Sequence, residues 1–175
     1  MNYATIKSVD IANGPGVRVS LFVSGCTHHC KDCFNEEAWD FHYGQPFTEA
    51  VEEEILGYLD HDYITGITLL GGEPMEPQNQ ERLLPFIRKV RERFPDKSIW
   101  CYTGYDFEQD ILGRMFDKYP FTESLVELFD VMVDGKFVAE LRNLSLQYRG
   151  SENQRILDVK QSLEARMAVW CEAYR

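Results

Sequence analysis

The sequence predicts an α/β fold, an open and incomplete (β/α) barrel on a mainly parallel sheet of about five strands. Three observations predict it. Short apolar, β-branched runs alternate with helical patterns, the rhythm of βαβ units joined by right-handed crossovers. The apolar runs end in turns rich in glycine and polar residues, at the carboxyl ends where parallel architectures carry their chemistry. The chain has 175 residues, whereas a closed eight-fold barrel needs on the order of 250. The same length fits one domain over residues 1–175, and no linker, low-complexity tract or close repeat divides it.

Taken in order, residues 9–18 hold Asn13, Gly14, Pro15 and Gly16 and read as a tight loop entering a strand, since glycine supplies unusual backbone angles and proline fixes its own. Residues 17–23 are apolar enough for a buried strand, and a cysteine-bearing loop follows at its carboxyl end. Residues 39–47 are aromatic and irregular. Thr48, with Val51 and Glu52 behind it, caps a first helix running to about residue 61. The acidic run 49–54 reads as the solvated face and favourable amino-terminal charge of that helix. Residues 66–70 form a second strand ending in Gly71-Gly72-Glu73-Pro74, and residues 79–94 a second helix that Pro95 stops. Residues 98–102 make a third strand ending in Thr103-Gly104-Tyr105. Asp106 caps a third helix to about residue 119. A weak helix over 123–128 precedes a fourth strand, 129–133, which ends in Asp134-Gly135-Lys136. Residues 137–149 are mixed. Residues 155–159 read as a final strand, followed by an amphipathic helix from 161 to about 174.

Composition narrows the function. Asp and Glu outnumber Lys and Arg 29 to 18, so the surface repels nucleic acid and has no general affinity for anionic membranes. No run is apolar enough to span a bilayer, and the first residues lack the charged-then-apolar order of a signal peptide, which predicts a cytoplasmic protein. The five cysteines are an odd number, and clustering leaves three of them poorly placed to pair, which fits a reducing compartment.

Those three cysteines carry the chemistry. Cys26, Cys30 and Cys33 fall on one short loop, so that it can curl to converge three sulfurs on one inorganic centre and leave a fourth position open. A 4Fe-4S cube takes one thiolate per iron, and three thiolates leave one iron free for chemistry. Zinc is the rival, because catalytic zinc also keeps three protein ligands and His28 or His29 would complete a structural site. Zinc ligands usually come as two separated pairs, however, and here Cys101, Cys171, His42 and His61 stand alone. His28 and His29 read as solvated loop residues, Cys101 and Cys171 as small buried hydrophobes.

The three-cysteine loop followed by Phe34, with Gly71-Gly72-Glu73-Pro74 one βα unit later, resembles the radical S-adenosylmethionine enzymes. Asn13-Gly14-Pro15-Gly16 with Arg18 narrows this to the glycyl-radical activating enzymes. The asparagine form, with Thr103-Gly104-Tyr105, Val133-Asp134-Gly135-Lys136-Phe137 and the stretch from Arg149 to Arg155, resembles the activating-protein family of anaerobic ribonucleotide reductases. The match runs from Met1 to about residue 159, with Glu152 departing from the family's usual serine. The resemblance implies a radical-SAM type barrel and one 4Fe-4S cluster on Cys26, Cys30 and Cys33. It implies S-adenosylmethionine as cosubstrate, cleaved to abstract hydrogen from a glycine of the anaerobic ribonucleoside-triphosphate reductase, with reduced flavodoxin or ferredoxin as electron donor. Asp32 and Phe34 would contact the adenine, Gly71, Gly72 and Glu73 the methionine amino group, and Thr103, Asp134 and Lys136 the methionine carboxylate and ribose. No general acid or base is needed beyond cluster and cofactor. Two other readings stay open: an activase of another glycyl-radical enzyme such as pyruvate formate-lyase, and a non-catalytic metal-binding interaction module.

Overall fold

The computed structural model describes residues 1–175 as a mixed α/β structure built on one seven-stranded sheet, in the order β3-β1-β2-β4-β5-β6-β7. The strands are β1 (Asn2–Asp10), β2 (Val17–Val23), β3 (Gln45–Pro46), β4 (Ile64–Gly71), β5 (Ser98–Tyr102), β6 (Val131–Asp134) and β7 (Arg155–Asp158). The four central strands β2, β4, β5 and β6 are parallel, in the register Val23↔Gly71, Leu69↔Cys101 and Tyr102↔Val133. Antiparallel pairs flank them, β1 against β2 and β3 on one side and β7 against β6 on the other. The sheet does not close, since β3 and β7 are its two edges.

Two expectations on the sheet are corrected. It has seven strands where about five were expected, the difference being β1 and the two-residue β3. β1 carries half-buried residues alternating with exposed ones, and its stability comes from pairing with β2 rather than from an apolar run. The final strand, β7, is antiparallel.

Side chains satisfy free amides at the start of the first and third helices, and a proline opens the second. Thr48 accepts a hydrogen bond from Val51 N at the start of α1 (Glu49–Leu59), as predicted. α2 (Pro77–Arg93) opens on a proline at its first position. Asp106 caps the third helix, accepting from Gln109 N. That helix is π-helical over Phe107–Met115 before a single α turn, α3 (Phe116–Lys118). α4 (Thr122–Val126) leads into β6. All of these pack on one face of the sheet, where Leu21, Leu69, Ile99 and Met132 meet Ile55, Leu83, Ile87, Phe107 and Leu125 in one core.

The C-terminal helix is a further correction. α5 (Val159–Ala165) stops because Arg166 turns left-handed at φ 55 and ψ 32. The chain then pairs with β7. Asp158 N donates to Val169 O at 2.9 Å, and Cys171 N donates to Ile156 O at 2.8 Å. Those bonds occupy polar groups that an edge strand otherwise leaves open, which a continued helix would not do. Tyr174 ends on the face away from the helices, against Trp100 and Tyr148. No helix is long and apolar enough to cross a membrane.

Candidate metal centre

Parallel pairing of β2, β4, β5 and β6 brings their four carboxyl ends to one side of the sheet. The cysteine loop leaves β2 through Gly25, at φ 97, where a Cβ would lie 2.2 Å from the Phe41 ring. Gly25 N donates to Ala38 O at 2.8 Å and Cys26 N to Trp39 O at 3.2 Å, so the chain returns beneath the first cysteine and closes the loop. Within it His29 and Asp32 are left-handed, at φ 49 and 57, and Cys33 N donates to Cys30 O. These turns curl the loop. Cys26 is buried and Cys30 and Cys33 are half-buried; all five cysteines are free.

Burial pushes the Cys26 thiol up to about 12 and raises that of Cys30. Iron binds the thiolate, so loading at Cys26 must expel a proton. Three soft sulfur donors on one loop suit an iron-sulfur centre, and the surrounding backbone is shaped to hold that loop still. Residues of the other strand ends close on it. Gly72 N donates to Val23 O at 2.7 Å and Glu73 N to Gly25 O at 2.8 Å. A Cβ on Gly72 would lie 2.6 Å from Gly25 O and 2.8 Å from Ala38 O, so only glycine allows this approach. Gly71, at φ 111, precedes it.

The Glu73 side chain is 1% exposed and accepts from Met75 N, Gly104 N and His28 Nε2. Thr103 is buried, its hydroxyl accepting from Tyr105 N. After β6, Lys136 and Phe137 come near the Cys30 thiol, where the Lys136 charge opposes the upward push of burial. Asp134 is buried between Arg155 and Phe107 N; burial raises its carboxyl above the ordinary value, against the pull of Arg155. Lys136 and Asp32 are exposed, and Phe34, 83% exposed, presents its ring to solvent. Cys26, Gly71, Gly72, Glu73 and Thr103 thus share one bonded neighbourhood. Asp32, Phe34 and Lys136 stand at its open rim, and Asp134 is turned toward Arg155.

Two features escaped the sequence reading, the seats of His28 and Thr27. His28 is not a solvated loop residue. Its side chain is 7% exposed, 2.8 Å from Glu73 and edge-on to Tyr105. Thr27 is tied to Glu76 through both its backbone and its hydroxyl. Asn153, Gln154 and Arg155 brace the turn after β6, by bonds to Lys136 O, Gly135 O and Asp134. The carboxylates of Asp106, Glu108 and Asp134 cluster tightly enough to hold a cation, but Arg155 already pairs with all three.

The family model described as a 4Fe-4S single cluster domain matches residues 12–157. An anaerobic ribonucleoside-triphosphate reductase-activating protein of Escherichia coli K12 is 44% identical over 156 residues, covering 88% of this chain and 96% of the relative. The protein of the same description from Haemophilus influenzae is 42% identical with the same coverage. That of Enterobacteria phage T4 is 44% identical over 89% of this chain and 93% of its own. The chain belongs to the 4Fe-4S single cluster domain family and, within it, to the anaerobic ribonucleoside-triphosphate reductase-activating proteins. The span of the 4Fe-4S domain includes the cysteine loop and all four strand-end turns, and it stops inside β7. α5 and the segment that pairs with β7 lie beyond it.

Proposed function

We propose that this protein is an activating enzyme for anaerobic ribonucleoside-triphosphate reductase and a radical S-adenosylmethionine oxidoreductase. With a 4Fe-4S cluster and S-adenosylmethionine bound, the chemistry supplied is one-electron cleavage of the cosubstrate's sulfur-carbon bond, giving a carbon radical that takes a hydrogen atom from a glycine of the reductase. The observation that carries this reading is the three-thiol loop at the end of β2, packed against the Gly-Gly-Glu-Pro turn of β4, in a chain 44% identical to proteins named for that activation.

Cys26, Cys30 and Cys33 hold the iron as thiolates. Gly71, Gly72 and Glu73 bring backbone close to the methionine amino group, from a turn that the bare Cα of Gly72 lets pack directly on the stem of the cysteine loop. Phe34 offers its free ring face to the adenine, with Asp32 beside it. Lys136, exposed on its turn, pairs with the methionine carboxylate and Thr103 serves the ribose end of the same site, while Asp134, held by Arg155, braces the turn that carries Lys136. The task of these residues is positioning and exclusion of water, not proton transfer.

The open sheet is read as an incomplete (β/α) barrel of radical-SAM type over a single domain, its unclosed side admitting a glycine-bearing loop of the reductase. Reduced flavodoxin or ferredoxin supplies the electron. Five unpaired cysteines suit a reducing cytoplasm.

The test is anaerobic reconstitution with iron and sulfide, then dithionite and S-adenosylmethionine, with 5'-deoxyadenosine as the product measured. A cluster-loaded protein that forms none refutes the enzyme. The reductase is then added and its glycyl radical recorded by electron paramagnetic resonance; a signal on pyruvate formate-lyase alone would reassign the partner.

A further inference from the structure

Two buried carboxylates sit in the turn between β4 and α2, Glu73 and Glu76, at 1% and 5% exposure. Neither meets a lysine or an arginine. A buried carboxylate without a cation depends on hydrogen bonds for its solvation. Glu76 Oε1 accepts from Thr27 N at 2.8 Å and from Thr27 Oγ1 at 2.6 Å. Glu73 Oε2 accepts from His28 Nε2 at 2.8 Å and from Gly104 N at 2.7 Å, and Glu73 Oε1 from Met75 N at 2.8 Å.

Three of these five bonds come from Thr27 and His28, which lie between Cys26 and Cys30. The imidazole also fills a fitted slot. A Cβ on Gly104 would lie 2.5 Å from it, and the Tyr105 ring stands edge-on at 4.4 Å. The loop is therefore anchored at its second and third positions to the ends of β4 and β5, not only at its stem.

We infer that Glu73 and Glu76 form a latch on the cysteine loop and that His28 is a positioning residue. It fixes the stretch between the first two iron ligands against the turn that faces the cosubstrate. This rests on the reading of the loop as a cluster site. Thr27 and His28 set where the Cys26 and Cys30 thiols stand, and Gly104 leaves the space that His28 needs.

The experiment reconstitutes wild type, His28→Ala, His28→Gln and Thr27→Val. Iron release to a chelator is followed by the visible absorbance of the cluster, and the electron paramagnetic resonance signal of the reduced protein is recorded with and without S-adenosylmethionine. Partners that orient metal ligands typically change metal retention by about 10- to 100-fold. His28→Ala is expected to release iron faster by that factor and to lose the spectral response to S-adenosylmethionine. His28→Gln, whose amide can donate to Glu73, restores both, and Thr27→Val releases iron at an intermediate rate. Circular dichroism confirms that each variant is folded, and Thr27→Val, nearly isosteric and keeping its backbone bond, stands in should His28→Ala unfold. Wild-type iron retention and spectra in His28→Ala, or in Thr27→Val if that stands alone, overturn the latch. So does a His28→Gln protein as leaky as the alanine variant. If the wild type itself takes up no cluster, it is the cluster-site reading that fails instead.

Discussion

At the residue scale, burial decides what the cysteines and glycines of the site do. The Cys26 thiol ionises near 9.0 when solvated and is pushed up to about 12 in the metal-free fold. Above the lower value the unfolded chain gives up a proton that the folded chain keeps, so Cys26 destabilises the metal-free protein progressively as pH rises from there toward about 12. Urea midpoints of wild type and Cys26→Ala should therefore diverge over that window, wild type losing more stability; parallel curves would contradict it. Gly72 answers to space rather than charge. Gly72→Ala drives a methyl onto the carbonyls of Gly25 and Ala38, at an expected cost of about 1–3 kcal/mol. Denaturant unfolding checks the cost, and iron content after reconstitution should fall with it. The Gly-Gly-Glu-Pro turn was legible as a close-packed strand-end turn because glycine spacing is visible in the chain. His28 was not, because nothing local to a Cys-x-x-x-Cys loop says that a glutamate 45 residues away waits for its ring.

At the element scale, the strands that carry the site were legible and those that flank it were not. β2 and β5 fall on the predicted residues because the apolar residues at their centres are buried. β1 and the segment after α5 are held by edge pairing, which leaves little hydrophobic pattern to read. The predicted helix over residues 161–174 has the periodicity, but the free edge of β7 competes for the same backbone and takes it from Arg166 onward. Tyr174 then stands edge-on to Trp100 at 5.3 Å and to Tyr148 at 5.6 Å. Such pairs contribute about 0.5–1.5 kcal/mol each beyond burial. Tyr174→Ala should destabilise the fold by about 1–3 kcal/mol and shift tryptophan emission to the red as Trp100 gains solvent. An unchanged emission spectrum and unfolding curve would mean that the C-terminal segment contributes nothing to this face. Arg18 lies beneath the same aromatics, fully buried, and ties β2 to β4 and β5 through Thr68, Ser98 and the carbonyl of Ile67. The Asn-Gly-Pro-Gly-x-Arg stretch thereby has a structural role at the amino end of the parallel strands, opposite the cysteine loop.

At the scale of the whole molecule, the helices cover one face of the sheet and leave the other to Trp100, Tyr148 and the chain end. Ligands that bind only the folded state stabilise it by mass action. Reconstitution with iron and sulfide should thus raise the melting temperature, and chelation should return it to the metal-free value; equal melting temperatures would count against a cluster held by three residues of the native loop. The sequence by itself determined the class of fold, the four parallel strands, the order of their turns and the three thiols. Each of those is written in residue type at short spacing, through apolar runs, caps, glycines and cysteines. Only the tertiary structure decided the antiparallel flanks, the fate of the chain after Arg166, and the bonds of Thr27 and His28 to Glu76 and Glu73. Those depend on which backbone edges and buried carboxylates are left unsatisfied once the sheet has assembled, and that is a property of the packed chain rather than of any segment of it.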